Sequence, residues 1–186
     1  NEPQDGYDTL QWLGKQSWCD GKIGTFGHSY NGFTQLMSAP FQSPYLKCLV
    51  PSSSQQTNFG HIYNDGVLQL NMVITFGLFG TGRTIQQPAI TGVYGGETLI
   101  NYDELFRRLP LISALDDISD VPYVKEWIRH PRYDDYWKSY GIREKYSKIN
   151  VPALFITGWY DNLLHETFRN FKGFRERGGS IEARNG

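Results

Sequence analysis

The segment KIGTFGHSYNGF, Lys22 to Phe33, constrains the fold more than any other stretch. Ile23 and Phe26 stand among glycines with no helical period, which reads as a short strand. Beyond the corner, YNGFTQLMSAP returns to helical spacing through Phe33, Leu36 and Met37, and Pro40 ends it. A strand that turns directly into a helix at a glycine-flanked serine belongs to an α/β chain. LKCLVPSSS then supplies a continuous apolar run, the pattern of a strand buried on both faces of a parallel sheet. VPALFITGWYD predicts another buried strand over Ala153–Gly158, ending in an aspartate. After it, LLHETFRNFKGFRERGG places Leu164, Phe168, Phe171 and Phe174 on one helix face, with Asn162 near the cap and Gly178 as the stop. Alternation of this kind predicts a doubly wound α/β fold, a mostly parallel sheet with flanking helices.

Ahead of the corner, DGYDTLQWLGKQ reads as a short amphipathic helix capped at Asp5. Between Gln55 and Lys148 the clean periods stop and glycine, threonine, asparagine and aromatics dominate. The second half of that stretch, VPYVKEWIRHPRYDDYWKSYGIREKYSKI, is rich in helix formers. The expected organisation is a first core part over 1–54, a mainly helical insertion over 55–148, and a second core part over 149–186. A further strand is expected to begin in SIEARNG, so the chain reads as a piece lacking both ends.

Composition excludes several function classes. Charged residues make up 20% of 186 and the formal net charge is −1, so no basic footprint for nucleic acid is present. No apolar run approaches the roughly 20 residues that cross a bilayer. A soluble protein is expected, with the cytoplasm as the favoured compartment; a homo-oligomer is left open. Cys19 and Cys48 could pair, although a buried free thiol suits the apolar run around Cys48. H-x-x-H and C-x-x-C spacings are absent, so neither a metal nor a cofactor is expected. The 15% aromatic content suits a large apolar cleft and an ordinary core equally.

A serine at a strand-to-helix corner is pushed out of the sheet, and the backbone N–H groups that follow point from a helix N-terminus. Ser29 would attack a carbonyl, the Tyr30 N–H would bind the developing oxyanion, and Gly27 would let the backbone pass closely. The generic elbow is G-x-S-x-G, whereas here the second glycine comes one place late, at Gly32, with Asn31 before it. On residues alone, a glycine-rich turn with an incidental serine fits equally well. Asp161 follows a sheet strand, as a triad acid does, and would orient an imidazolium; a helix N-terminal aspartate is the competing reading. The histidines are His28, His61, His130 and His165. His28 would point away from the cleft, and His61 and His130 read as surface or cap residues. His165 alone follows Asp161, but only four residues on, in the first turn of a helix.

Taken together, WLGKQSWCDGKIG, GHSYNG, HPRYDDYW and VPALFITGWYD resemble the family of cocaine esterase, the α-amino acid ester hydrolases and the X-Pro dipeptidyl-peptidases, over nearly the whole chain. The resemblance implies an α/β-hydrolase fold with a helical cap inserted, and a nucleophile pattern G-x-S-Y-x-G that accounts for the late glycine. It places the nucleophile on Ser29, an oxyanion N–H on Tyr30, the triad acid on Asp161 and an acyl-pocket position on Leu163. It also implies a triad histidine in a loop beyond residue 186, a second oxyanion donor from a tyrosine hydroxyl of an early strand, and a C-terminal jelly-roll domain in many members. None of these three can be placed here, so the fragment alone is expected to be nearly inactive.

The function expected from this is a serine hydrolase cleaving a small-molecule ester or amide through an acyl-enzyme. A neutral acyl group is favoured, because the segment after LVPSSS offers only Asp65 to hold a substrate ammonium. The alternative is a non-catalytic binding domain or pseudo-enzyme on the same fold, for which the missing histidine speaks. A redox or metal protein built on the two cysteines has no spacing to support it.

Overall fold

A computed structural model of the chain describes residues 1–79, 101–117 and 122–186. Much of the glycine-rich part of the insertion expected over 55–148 therefore lies outside the described residues. In chain order the elements are α1 (Glu2–Leu13), β1 (Ile23–His28), α2 (Tyr30–Ser38), β2 (Leu46–Ser52), α3 (Asn58–Ile62), β3 (Tyr63–Asn64), β4 (Val67–Leu68), α4 (Leu70–Phe79), α5 (Tyr102–Leu105), α6 (Pro122–Arg129), α7 (Asp135–Ser139), α8 (Leu164–Arg177) and α9 (Ile181–Asn185). Two compact units result: Asn1–His61 with Asp135–Gly186, and Ile62–Asp134.

In the first unit β1 and β2 run parallel, from Ile23 beside Leu46 to His28 beside Ser52. Residues 153–156 add a third parallel course on the far side of β2, through the pairs Leu49–Ala153 and Ser52–Ile156. Its ladder is regular: the Leu49 N–H donates to the Pro152 carbonyl, and the Leu154 and Ile156 N–H groups donate to Leu49 and Pro51. One face of this sheet is packed. Leu10 of α1, Phe33 and Leu36 of α2, Leu49 of β2, Tyr146, Ile149 and Phe174 of α8 form a single buried cluster. Each such side chain contributes roughly 1.5–3 kcal/mol by leaving water. The helical period that the sequence shows in α2 is this packed face.

Several local expectations change. The strands at 46–52 and 153–158 were expected to be covered on both faces, yet within the described residues they are covered on one. Phe26 is 86% exposed, Leu154 62% and Ile156 47%, and Cys48 is exposed beside them. A continuous apolar run reports what each strand could bury, while α1, α2 and α8 all send their buried apolar residues into the same cluster. The cysteines are free thiols. Helix α1 starts earlier than Asp5, with Asn1 as its N-cap, and Asp5 sits in its first turn. SIEARNG forms the short helix α9 rather than a strand, because the Ser180 hydroxyl accepts the Ala183 N–H at 3.0 Å and caps it.

Helix α8 carries the largest surprise. Phe168 and Phe171 of its expected apolar stripe are exposed, and Glu166, Thr167, Asn170 and Gly173 are buried with Phe174. The surface against which it packs includes irregular backbone at 54–56, whose N–H and C=O groups need polar partners.

The second unit stands on Val73, Ile74, Leu105 and Val124, all buried. Its hairpin β3–β4 turns through Asp65 and Gly66 at φ 49° and 86°. An Asp-Gly pair with two positive φ angles is what a two-residue hairpin asks for. Asn101 caps α5 by accepting the Glu104 N–H at 3.2 Å. On α6 and beyond it, His130 Nδ1 lies 2.6 Å from Asp134 Oδ2.

Candidate active site

The corner after β1 has the geometry that a projecting serine requires. Ser29 adopts φ 58° and ψ −124° as the N-cap residue of α2. A side chain rarely occupies that region, which favours glycine and costs of order 1–3 kcal/mol when anything else is held there. What holds it is local: the Ser29 N–H donates to the Ser52 carbonyl at 2.9 Å, and the Gly32 and Phe33 N–H groups close on the Ser29 carbonyl at 2.9 and 3.0 Å. Tyr30 is the first residue of α2, so its N–H has no intrahelical acceptor and faces the helix N-terminus.

The glycines on either side are explained by close approach. A Cβ on Gly27 would lie 2.8 Å from Asn31 main-chain atoms, and one on Gly32 would lie 2.7 Å from Ser54 Cβ and 3.1 Å from the Gly27 carbonyl oxygen. The generic elbow puts its second glycine at the position that Asn31 holds, but here Asn31 is exposed and Gly32 is the one pressed against the β2 exit. The late glycine is therefore a packing requirement of this corner. Gly32→Ala should cost about 1–3 kcal/mol of stability, read as a lower urea midpoint at unchanged slope, because the added methyl meets a Cβ and two carbonyls.

Asp161 stands at the same end of the sheet as Ser29, following the 153–156 course, with β2 between them. Two strand spacings separate those courses, about 10 Å. Its Oδ1 accepts the Leu163 N–H at 2.7 Å and its carbonyl accepts the Leu164 N–H at 3.1 Å, which seats it at the entry of α8. Leu163 is 3% exposed, and its carbonyl takes the Thr167 N–H and hydroxyl.

No histidine nitrogen bonds Ser29 among the described residues. His28 is exposed, with Nδ1 3.3 Å from Ser52 Oγ. His165 Nε2 donates to the Gly60 carbonyl at 3.3 Å, and Asn162 Nδ2 donates to His61 Nε2 at 3.4 Å. His61 was expected at the surface, yet it is half-buried in the field of Asp161. Burial first, and then the neighbouring His165, push its pKa down to about 4 against an opposing pull from Asp161. An unfolded chain binds a proton there below about pH 6.5, which the folded chain refuses until about pH 4. Stability is therefore lost as the pH falls through that window and levels off below it. We expect about 2 kcal/mol less stability at pH 5 than at pH 7, a difference that His61→Gln removes, by guanidinium unfolding at both pH values.

Two features near the site were not read from the sequence. The Tyr30 hydroxyl donates to Glu2 Oε1 at 2.9 Å and lies 2.6 Å from the Tyr140 hydroxyl. That pairing anchors the side chain of the first residue of α2. Glu2 is held at a pKa of about 2, chiefly by a backbone hydrogen bond and then by the Tyr30 hydroxyl. The other feature is the buried polar row of α8, whose only trace in the sequence is Glu166, Thr167 and Asn170 at helical spacing.

Known proteins are similar to this chain in sequence and fold. The family model for the X-Pro dipeptidyl-peptidase (S15 family) matches residues 1–185. Cocaine esterase of Rhodococcus sp. (strain MB1 Bresler) is 28% identical over 195 residues, covering 95% of this chain and 32% of the esterase. Among solved structures, a CocE/NonD family hydrolase from Staphylococcus aureus is similar at a TM-score of 0.63 and 24% identity, over 97% of this chain and 27% of that one. An aminopeptidase from the marine sediment archaeon Thaumarchaeota archaeon is similar at 0.67 and 20% identity, over 95% and 30%. The chain thus spans about a third of the length of these relatives. With a parallel sheet, a strained serine corner and a match that runs from end to end, the chain belongs to the X-Pro dipeptidyl-peptidase (S15) family and has the α/β-hydrolase fold.

Proposed function

We propose that the chain forms part of a serine hydrolase that cleaves a small-molecule ester or amide through an acyl-enzyme. The observation that carries this reading is the backbone of Ser29, strained at φ 58° and ψ −124° on a strand-to-helix corner with Asp161 at the same end of the sheet. In the reaction, Ser29 Oγ attacks the carbonyl carbon while its proton passes to an imidazole. The Tyr30 N–H donates to the oxyanion, and Asp161 steadies the imidazolium. That proton then goes to the leaving oxygen or nitrogen as its bond to carbon breaks, and water releases the acyl group by the same steps in turn. The family name supports an amide and the esterase relative an ester, so both stay within the proposal. Residues 55–148 would carry the cap, and Leu163 would line the acyl pocket. We place the histidine outside these 186 residues, since the four rings here bond elsewhere, and the chain alone should turn over only at background rate.

That same observation favours a second reading, a binding domain that keeps the corner without the chemistry. Covalent labelling separates the two. A fluorophosphonate should modify Ser29, and no other serine, in the longest natural chain that carries this sequence; absence of the adduct there would leave the binding domain.

A further inference from the structure

Helix α8 buries a charge where an apolar anchor would be simpler. Glu166 is 0% exposed, Thr167 and Asn170 are buried next to it, and each bonds the chain that leaves β2. Glu166 Oε2 accepts the Gln56 N–H at 3.0 Å, while Oε1 accepts from Arg169 Nη1 at 2.7 Å. The Ser54 N–H donates to Thr167 Oγ1 at 3.2 Å, and Asn170 Nδ2 donates to the Ser54 carbonyl at 3.0 Å. Tyr146, itself buried, donates its hydroxyl to Asn170 Oδ1 at 2.8 Å. The carboxylate leaves no room for a side chain opposite: a Cβ on Gly60 would sit 2.2 Å from Glu166 Oε1.

A buried carboxylate is costly unless its oxygens are hydrogen-bonded, and replacing such a group by an apolar one is often neutral or stabilising. Stability alone is therefore a weak reason for this row. Its location supplies a better one. Asp161 and Leu163 immediately precede α8, with the Leu163 carbonyl taking both the N–H and the hydroxyl of Thr167. At the other end, Ser54 is the residue against which Gly32 of the nucleophile helix is pressed, and Ser52 holds the Ser29 N–H. The row therefore ties the loop of the acid to the segment that supports the serine.

We propose that Glu166, Thr167 and Asn170 are positioning residues that set where Asp161 stands relative to Ser29, a role that rests on the hydrolase reading above. The test is a double-mutant cycle in the longest natural chain that carries this sequence, read as the rate constant of Ser29 labelling by a fluorophosphonate and as kcat and KM for 4-nitrophenyl acetate. Glu166→Gln keeps the shape but offers one acceptor where two donors arrive. It should slow labelling and lower kcat by about tenfold with KM within about twofold, and in an Asp161→Asn background it should change either rate by less than about twofold. Thr167→Val, which removes only the hydroxyl's bonds, should repeat the pattern and serves if Glu166→Gln does not fold. Equal losses in both backgrounds, or unchanged rates in folded protein, would overturn the positioning role while leaving the hydrolase intact. A wild-type chain that takes no label at Ser29 would instead overturn the hydrolase reading and this role with it.

Discussion

In the longest natural chain that carries this sequence, Ser29→Ala should abolish fluorophosphonate labelling and lower turnover of esters and X-Pro amides by roughly 10⁴-fold or more, with KM little changed. The size follows from how a triad works: without Oγ there is no acyl-enzyme, and only binding and the oxyanion N–H remain to stabilise the transition state. Fold should survive, because the Ser29 backbone makes its three hydrogen bonds whatever the side chain is. A further consequence separates chemistry from packing. Alanine at φ 58° is as strained as serine, but glycine is not, so Ser29→Gly should be just as inactive and more stable by about 1 kcal/mol. Thermal unfolding of the two variants side by side checks this. An active Ser29→Ala protein would end the serine mechanism.

On the same proposal, Asp161→Asn should lower kcat by about 10²–10⁴-fold in the same assays. Asparagine retains an oxygen for the Leu163 N–H, so the entry of α8 keeps its seat. What it would lose, in the proposed triad, is the charge that stabilises an imidazolium, and its amide could orient the ring in the wrong tautomer. Labelling at Ser29 should slow with turnover, since both require the proton to leave Oγ. Near-normal kcat in a folded Asp161→Asn protein would mean that the residue only opens a helix, as an aspartate at a helix N-terminus does with no chemistry at all.

Parts of the fold were legible because they are encoded by neighbours in sequence. The strand, corner and helix over residues 23–38 follow from glycine placement and a 3.6-residue period, and both are local properties. The Asp65–Gly66 turn and the Ser180 cap are equally local in cause, yet neither was read along the chain, and SIEARNG was expected to begin a strand instead. Elsewhere hydrophobicity misled. Phe168 and Phe171 are apolar and periodic, but the inward face of α8 is the one with Glu166 and Asn170. Which face turns inward depended on backbone groups more than 100 residues away in sequence, a relation that no window along the chain contains.

The chain's own order of residues thus determined that a serine would stand on a glycine-flanked strand-to-helix corner and that an aspartate would follow a later strand. Both are matters of backbone preference within a dozen residues. Only the tertiary structure decided that β2 lies between those two strands and brings both exits to the same end of the sheet. It also decided that Gly32 is the glycine the corner needs, since the atom it must avoid belongs to Ser54. The same holds for His61, an ordinary imidazole along the chain that becomes reluctant to take a proton once burial and His165 surround it. Close packing and desolvation are properties of groups distant in sequence, and they come into being only when the chain has folded.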